Sequence, residues 1–430
     1  MVFTSTPPNV LILDNGGHTI KAGTSKHEEP LILPNNLVKS KLNKNRVFIS
    51  HEQDECVEKT ALFYERPIER GYIVNWDLQE KIWEKVITHL SVNPEESKIL
   101  LTDNNYLVPS LPDVSSEFFL ETYNFKAIHK SSSPAVVAVH NEKVNKSPCS
   151  LVIDCGFSVT HVAPFVDGQL IQQAVLRIDI GGKALTNKLK DWISYRQLNV
   201  MEETHVMNEC KEDVCFVSQN FEEDIARAGA RFDQNDMIRR YILPDFSSRH
   251  RGSMETMDFP IDSTIQSITV NVERFSTPEI LFHPSNVGLE QLGVAEAAAE
   301  AIRRCPENIR PALTENIILT GGSTKFAGFR ERFVSELRSL VDPEYQIKLI
   351  GGEVDPETCT WHCAKKLVTD PTIHKKLAWI NKADWVEYGD SLEYTKFFRT
   401  LLSPEEYSEL YKTEEKRKKK EEQENLDEFE

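Results

Sequence analysis

The feature that most constrains the fold is a weak internal repeat of one strand–turn–strand unit. Residues 9–23 read NVLILDNGGHTIKAG, and residues 150–164 read SLVIDCGFSVTHVAP. In each unit an apolar run ends at an aspartate, Asp14 or Asp154, and a turn with glycine leads into a second run. No long helical period follows either turn, so neither is a phosphate loop that opens a helix. The repeat predicts two tight hairpins whose turns face each other across a cleft.

A third element, ENIILTGGSTKFAGFRERFVSELRSLV at residues 315–341, has a different pattern. An apolar strand leads to the pair Gly321 and Gly322, and apolar residues then recur at helical spacing. Glycine ahead of a helix N-terminus lets the backbone come close to a ligand and offers free amide donors to phosphate. We therefore expect this glycine pair to approach a nucleotide, with a simple helix-entry turn as the alternative.

The bulk composition restricts the class of protein. A chain of 430 residues has room for two or three domains, and its net charge of −17 argues against broad, direct binding to nucleic acid. The basic stretches at 39–46 and 414–422 are local exceptions, each a solvated segment, an interaction patch or an import signal. We expect neither a secretory signal nor a membrane span, and the 8 cysteines at irregular spacing favour reduced thiols over a disulfide framework.

Two Asp-x-Gly hairpins and a later Gly-Gly loop resemble the ATP clamp of the superfamily of actin, heat-shock chaperones and sugar kinases. The resemblance to actin is closer and continues in order to about Phe398. It includes RPIERGYIVNWDLQEKIW (66–83), ERFSTPEILFHPS (273–285) and AWINKADWVEYG (378–389). The resemblance implies an α/β, actin-like fold with two related halves around a nucleotide cleft, insertions and a charged C-terminal extension.

This fold implies four segments. The first half takes residues 1–148, with a shortened loop where actin contacts a neighbouring subunit. The second half takes 149–350 and includes an insertion near 245–265, which is polar and shows no clear periodicity. Residues 351–398 return to the first half, and 399–430 form a charged tail that we expect to be partly disordered.

The resemblance also implies roles for residues in the cleft. Asp14 and Asp154 would hold Mg²⁺ through water, since hard carboxylate oxygens suit this ion, although each could instead only cap its own turn. Lys21 would reach a β-phosphate as a point charge, and Lys211 and Glu212 would contact adenine and ribose. The implied ligand is ATP or ADP with magnesium, and the glycines that would lie along it are Gly16, Gly17, Gly156, Gly321 and Gly322.

The chain departs from actin where ATP hydrolysis would take place. Gly17 and His18 replace a serine and a glycine, Phe157 and Ser158 replace an aspartate and a glycine, and Ser133 aligns with a glutamine that positions the attacking water. Phe157 brings no acceptor or charge, and Ser133 is too short to replace glutamine. His18 could act as a base, but we expect it to tilt out of the loop or to shield the phosphates. The prediction is nucleotide binding without useful turnover, and no enzyme activity.

These departures resemble those of the nuclear actin-related proteins. The resemblance implies a non-catalytic scaffold subunit of a Swr-type chromatin remodeller, which exchanges a core histone for its variant and so supports transcription regulation. The implied partners are a Swi/Snf-family ATPase and a small zinc-HIT subunit, with nucleosomes contacted indirectly, in the nucleus with some cytoplasmic pool. The shortened loop near 41–55 and the insertion at 245–265 argue against a filament former. The alternatives are a cytoskeletal actin-related protein and a slow actin-like ATPase.

Overall fold

Two halves, each built on a six-stranded sheet, form the described part of the molecule. The charged tail at 399–430 and its basic stretch lie outside the described residues, as do positions 41–45 of the basic loop. The computed structural model describes residues 9–40, 46–56, 62–102, 114–231, 234–255, 265–393 and 396.

The sheet of the first half is centred on the apolar run of the first repeat unit. Val10–Asn15 is antiparallel to Thr19–Thr24, which gives the predicted hairpin, and parallel to Lys98–Thr102. Residues 10 to 13 are completely buried, as expected for a strand covered on both faces. In spatial order the strands are Ile380–Asn381, Ala127–Ser131, Lys98–Thr102, Val10–Asn15, Thr19–Thr24 and Leu31–Pro34.

The sheet of the second half repeats this arrangement. Cys149–Cys155 is antiparallel to Thr160–Val166 and parallel to Ile317–Thr320. Asp154 lies opposite Thr320, just as Asp14 lies opposite Thr102, so the sequence repeat is also a structural one. In spatial order the strands are Gln169–Leu170, Thr160–Val166, Cys149–Cys155, Ile317–Thr320 and Leu349–Ile350, and Leu176–Ile178 also pairs with Thr160–Val166.

Smaller sheets extend both halves. The first half has a three-stranded sheet of Val47–Ile49, Leu37–Ser40 and Leu62–Glu65, and a ribbon of Ile68–Glu69 and Tyr72–Ile73. The second half has a sheet of Ser253–Glu255, Arg239–Ile242 and Ser267–Val270.

The segment predicted as an insertion at 245–265 is therefore not irregular throughout. Ser253–Glu255 pairs with Arg239–Ile242 as an edge strand, while 256–264 lies outside the described residues. A strand of three residues is too short to show a two-residue alternation in the sequence, which is why the pattern did not reveal it.

Two helices, Ser133–Asn145 and Cys359–Thr369, pack between the main sheets. One apolar cluster joins Ile12 of the first sheet, Val152 of the second and the fully buried Trp361 of the second helix. The other helices of the first half are Trp76–His89, Ser115–Glu117, Phe118–Thr122 (a π-helix), Pro371–His374, Lys382–Tyr388 and Asp390–Glu393. Those of the second half are Gly182–Arg196, Thr204–Val214, Phe221–Ala228, Glu273–Glu279, Val294–Arg304, Arg310–Thr314 and Phe329–Leu340.

Within the described ranges, no helix is long and apolar enough to cross a lipid bilayer.

Candidate nucleotide site

A cavity of about 480 Å³ lies between the two hairpin turns, where the central strands of both sheets end. It is lined by residues of both halves and by the segment that leads into the helix Cys359–Thr369. All ten residues predicted for the nucleotide line this one cavity: Asp14, Gly16, Gly17, Lys21, Asp154, Gly156, Lys211, Glu212, Gly321 and Gly322. Their roles toward a ligand remain predictions.

Asp14 and Asp154 occupy equivalent places at the ends of the two central strands. Thr102 Oγ1 donates a hydrogen bond of 2.6 Å to Asp14 Oδ1. Burial raises the pKa of Asp14, and burial together with the negative charge of Asp14 raises the pKa of Asp154 to about 6. Two carboxylates in one cavity, where the charge of Asp14 raises the pKa of Asp154, are an arrangement that a divalent cation relieves. The pair therefore fits the predicted magnesium role.

Lys21 lies opposite Asp14 in the hairpin and reaches into the cavity. Its ammonium donates to Thr19 Oγ1 at 2.8 Å and lies 3.5 Å from Glu357 Oε1. The other oxygen of Glu357 accepts from Lys325 Nζ at 3.3 Å. The cation predicted for a phosphate is thus already paired with a carboxylate, which the sequence reasoning missed. The only available signal was the run Pro356-Glu357 just ahead of a helix.

Lys211 and Glu212 line the cavity from the helix Thr204–Val214. The Lys211 ammonium donates to Gly182 O, Thr186 Oγ1 and Asn208 Oδ1 at 2.9–3.2 Å, and burial lowers its pKa. Its three hydrogens are used within the protein, so its alkyl stem is the part that remains for packing on a base. Glu212 Oε1 accepts from Asn208 Nδ2 at 2.7 Å.

The glycine pair lies between a strand and two successive helices. A short 3₁₀-helix, Gly322–Lys325, follows the strand, and the long helix begins only at Phe329. The long helix begins where the apolar residues at helical spacing begin, after Gly328 redirects the chain in the left-handed conformation (φ 83°). Gly321, also at positive φ (89°), packs against Asp154: an added Cβ would lie 2.7 Å from Asp154 Oδ1.

The first turn is held by a buried amide network that the sequence reasoning also missed. Asn35 Nδ2 donates to Gly16 O at 2.9 Å, and Asn35 N donates to His18 O at 2.9 Å. Two further donors belong to the same network. Trp83 Nε1 donates to Asn15 Oδ1 at 3.3 Å, and Gln79 Nε2 donates to Asn35 Oδ1 at 3.3 Å. Because Asn35 is completely buried and satisfied from both sides, it fixes the path of the turn.

The tips of the two turns touch each other. The His18 imidazole stacks on the Phe157 ring, with 4.6 Å between ring centroids and 27° between planes. The Arg66 guanidinium carbon lies 4.9 Å from the same ring centroid. Burial and the positive charge of Arg66 hold the pKa of His18 well below its usual value, so the imidazole is neutral. Of the two alternatives for His18, tilting out of the loop is wrong, because the imidazole stacks on the Phe157 ring. Shielding of the phosphates stays a prediction.

The sequence matches the actin family over residues 5–398. The chain belongs to the actin family. It is 54% identical over 396 residues to an actin-like protein of Caenorhabditis elegans (92% of this chain, 94% of that protein). It is 35% identical over 390 residues to actin-related protein 6 of Drosophila melanogaster (88% and 97%), and 34% identical over 427 residues to actin-related protein 6 of Arabidopsis thaliana (91% and 99%). The predicted actin-like fold and the resemblance to actin-related protein 6 are confirmed.

Members of the actin family generally bind a nucleotide with magnesium, and the cavity of this actin-family chain has groups that fit both. The carboxylates of Asp14 and Asp154, which both line the cavity, suit a hydrated divalent cation. Gly322 leaves open space, since an added Cβ would meet no atom within 4 Å. Lys21 can act on a phosphate once it is released from Glu357.

Two further side chains that line the cavity, Ser133 and His161, bear on hydrolysis in this actin-family chain. Ser133 Oγ shares a hydrogen bond of 2.6 Å with Thr360 Oγ1, so this hydroxyl is tied to the wall of the cavity. His161 pairs with Asp154 in the hairpin register, lines the cavity and is buried, and burial lowers its pKa to about 4. A neutral imidazole can accept a proton from water. In the sequence, His161 is simply one residue of the second apolar run of its hairpin.

Proposed function

We propose that this chain is a non-catalytic, nucleotide-holding scaffold subunit of a nuclear remodelling complex that exchanges a core histone for its variant. In this role the bound nucleotide ties the two halves together, and the outer surface of the fold carries the partners. The proposed partners are a Swi/Snf-family ATPase and a small zinc-HIT subunit, with nucleosomes contacted through the complex. The similarity to actin-related protein 6 along most of the chain supports this class over other members of the actin family.

The observation that carries the non-catalytic part is the His18–Phe157 stack. Hydrolysis needs a water held in line with the terminal phosphate, and misplacement by about 1 Å can cost about 100-fold in rate. At this end of the cavity the two turns present an aromatic pair with a neutral imidazole, while the Ser133 hydroxyl bonds to Thr360. Phe157 and the tied Ser133 hydroxyl therefore give an in-line water little of the polar support that efficient turnover requires.

A slow actin-like ATPase is the second candidate, and His161 favours it. Its buried, neutral imidazole lies in the cavity beside Asp154 and could take a proton from an attacking water. Phosphate release by the full chain with Mg-ATP, measured over hours, separates the two candidates. We expect no release above that of an Asp14→Ala control. Release well above the control that disappears in His161→Ala would establish the ATPase instead.

The scaffold role is tested by a tagged full-length chain recovered from nuclear extract, with tagged actin as the parallel bait. We expect a Swi/Snf-family ATPase and a zinc-HIT protein to be enriched on this chain, and histone exchange by the recovered complex. Recovery of the chain alone would contradict the scaffold role. Pelleting of the purified chain in magnesium, salt and ATP would instead support the cytoskeletal alternative.

A further inference from the structure

Both turns line the cavity, and in the nucleotide binding of the proposed function a third phosphate would lie between them. Besides the His18–Phe157 stack, Gly17 packs directly against Ser158: a Cβ added to Gly17 would lie 2.4 Å from Ser158 Oγ. We call these two contacts, His18–Phe157 and Gly17–Ser158, the bridge between the turns. We propose that the bridge makes the cavity specific for a nucleoside diphosphate and excludes the triphosphate. The inference rests on the nucleotide binding in the proposed function and adds the class of ligand and the residues that select it.

The bridge is fixed from both sides. On the first turn, the Asn35 backbone N–H donates to His18 O at 2.9 Å, and the Asn35 side-chain Nδ2 donates to Gly16 O at 2.9 Å. On the second turn, Lys183 N donates to Phe157 O at 2.8 Å, and the next bond along the helix start joins Gly182 N to Gly156 O at 3.1 Å. A phosphoryl group between the turns would have to break the stack and displace one of these anchored backbones. This free-energy cost weakens binding of the triphosphate, because only the triphosphate has a third phosphoryl group to place between the turns.

The chemistry of the bridge also disfavours a terminal phosphate. A terminal phosphate needs donors or positive charge, whereas Phe157 has neither and the His18 imidazole is uncharged. Arg66 lies over the Phe157 ring, where its cation–π contact stabilises the ring in the closed position. Two nitrogens, His18 Nδ1 and Arg66 Nη1, are buried without a hydrogen-bond partner among the described residues. In the competing arrangement, a terminal phosphate separates the stacked rings and accepts hydrogen bonds from these two nitrogens.

The test uses the full-length chain freed of nucleotide with a chelator and returned to magnesium. Titration calorimetry compares ADP with a methylene-bridged, non-hydrolysable ATP analogue. For the unmodified chain we expect ADP to bind at least about tenfold more tightly, since unpaired or clashing groups commonly cost that much or more. Phe157→Ala and, separately, His18→Ala are expected to raise the affinity for the analogue about tenfold and to change that for ADP by less than about threefold. Thermal unfolding without ligand checks that each variant is folded.

Two controls separate a general loosening from loss of the bridge. Phe157→Leu keeps apolar bulk between the turns and is expected to retain the preference for ADP. His374→Ala removes a comparable ring contact, His374 on Trp379 at 5.0 Å between centroids, outside the residues that line the cavity, and should leave both affinities unchanged.

Equal affinities for the two ligands in the unmodified chain would overturn the inference and leave nucleotide binding intact. Tighter binding of the analogue that is lost in Arg66→Ala would also overturn it, because the two unpartnered nitrogens would then serve as phosphate donors. Binding of neither ligand would contradict the nucleotide-holding part of the proposed function itself, and the inference with it.

Discussion

The ammonium of Lys21 lies 3.5 Å from the carboxylate of Glu357, although 336 positions separate the two residues in the chain. Glu357 is supplied by the segment that leads into the helix Cys359–Thr369, so the returning C-terminal segment contributes directly to the wall of the cavity beside Lys21. Since the same carboxylate also pairs with Lys325 at 3.3 Å, it neutralises two cations that a phosphate would otherwise use. An incoming ligand has to compete with Glu357.

Glu357→Gln should therefore strengthen nucleotide binding. The substitution removes a negative charge from the cavity and frees Lys21, while the amide can still accept hydrogen bonds. We expect the affinity for Mg-ADP to rise about tenfold, equivalent to about 1.4 kcal/mol, as measured by titration calorimetry. Asp355→Asn is the matched control, because Asp355 pairs with Lys325 at 2.9 Å but is not among the residues that line the cavity. An equal gain in both variants would indicate release of Lys325 or a long-range charge effect rather than release of Lys21.

Magnesium binding should weaken in mild acid. Burial and the charge of Asp14 raise the pKa of Asp154 to about 6 in the metal-free site, so protons compete with the cation there. Below pH 6 the apparent affinity should fall up to about tenfold per pH unit, because one proton must leave for each cation bound. Titration with Mn²⁺, followed by its paramagnetic effect on water relaxation, measures this from pH 5 to pH 8. Asp154→Asn should lose both the binding and its pH dependence; a flat profile in the unmodified chain would contradict the assignment.

The sequence predicts the parts of the cavity that depend on local pattern. Asp14 and Asp154 each follow an apolar run, so their places at the ends of buried strands could be read directly. Glu357 and Asn35 could not be found in this way, because each acts through contacts made only when distant segments meet. Asn35 precedes a strand and reads as a loop residue, yet it is completely buried under the first turn.

The alternative in which His18 tilts out of its loop is wrong for a related reason, whereas the alternative in which it shields the phosphates stays a prediction. The sequence shows that its loop is short and rich in glycine, which suggests a side chain directed outward. Its stacking partner, Phe157, lies on the equivalent turn of the other half, so only the approach of the two halves decides the orientation. The strand register within one hairpin can be predicted from neighbouring residues, whereas the contact between the two hairpins depends on how the two halves of the chain pack.

The two neighbouring glycines should respond oppositely to the same substitution. Gly321→Ala places a Cβ 2.5 Å from Cys155 O at φ 89°, so the backbone must shift, and we expect a loss of about 1–3 kcal/mol in the free energy of unfolding. Gly322→Ala meets no atom within 4 Å and should leave stability nearly unchanged. Denaturant unfolding of the ligand-free chain measures both. Similar losses at the two positions would contradict the difference between their surroundings.

Loss of nucleotide affinity in the stable Gly322→Ala variant would be informative in a second way. A methyl group at this position points into space that is open without ligand, so it can interfere only with something that enters the cavity. We expect Mg-ADP to bind at least about tenfold more weakly to this variant. Unchanged affinity would mean that the ligand does not pass along this glycine.

Acid should destabilise the fold through its buried, neutral histidines. Burial lowers the pKa of five imidazoles, those of His18, His129, His140, His161 and His374. The pKa falls to about 4 for His129, His140 and His161. In the folded chain these groups therefore gain a proton only at a lower pH. In the unfolded chain the same groups take up protons near pH 6.5. Between about pH 6.5 and pH 4 the unfolded state thus binds more protons, and each such group lowers the free energy of unfolding by up to about 1.4 kcal/mol per pH unit as the pH falls.

Asp14 and Asp154 act in the opposite direction, because their raised pKa values let the folded state bind protons first. The histidines outnumber them, so the net expectation is a lower free energy of unfolding at pH 5 than at pH 7, measured by denaturant titration at both values. His129→Gln keeps a donor for the Ala378 carbonyl, which His129 Nδ1 meets at 2.9 Å, and should make the dependence on pH shallower. His250→Gln, at an exposed position, should leave it unchanged. Equal stability at both pH values would contradict this expectation. It would mean that the folded chain takes up protons at these imidazoles as readily as the unfolded chain does.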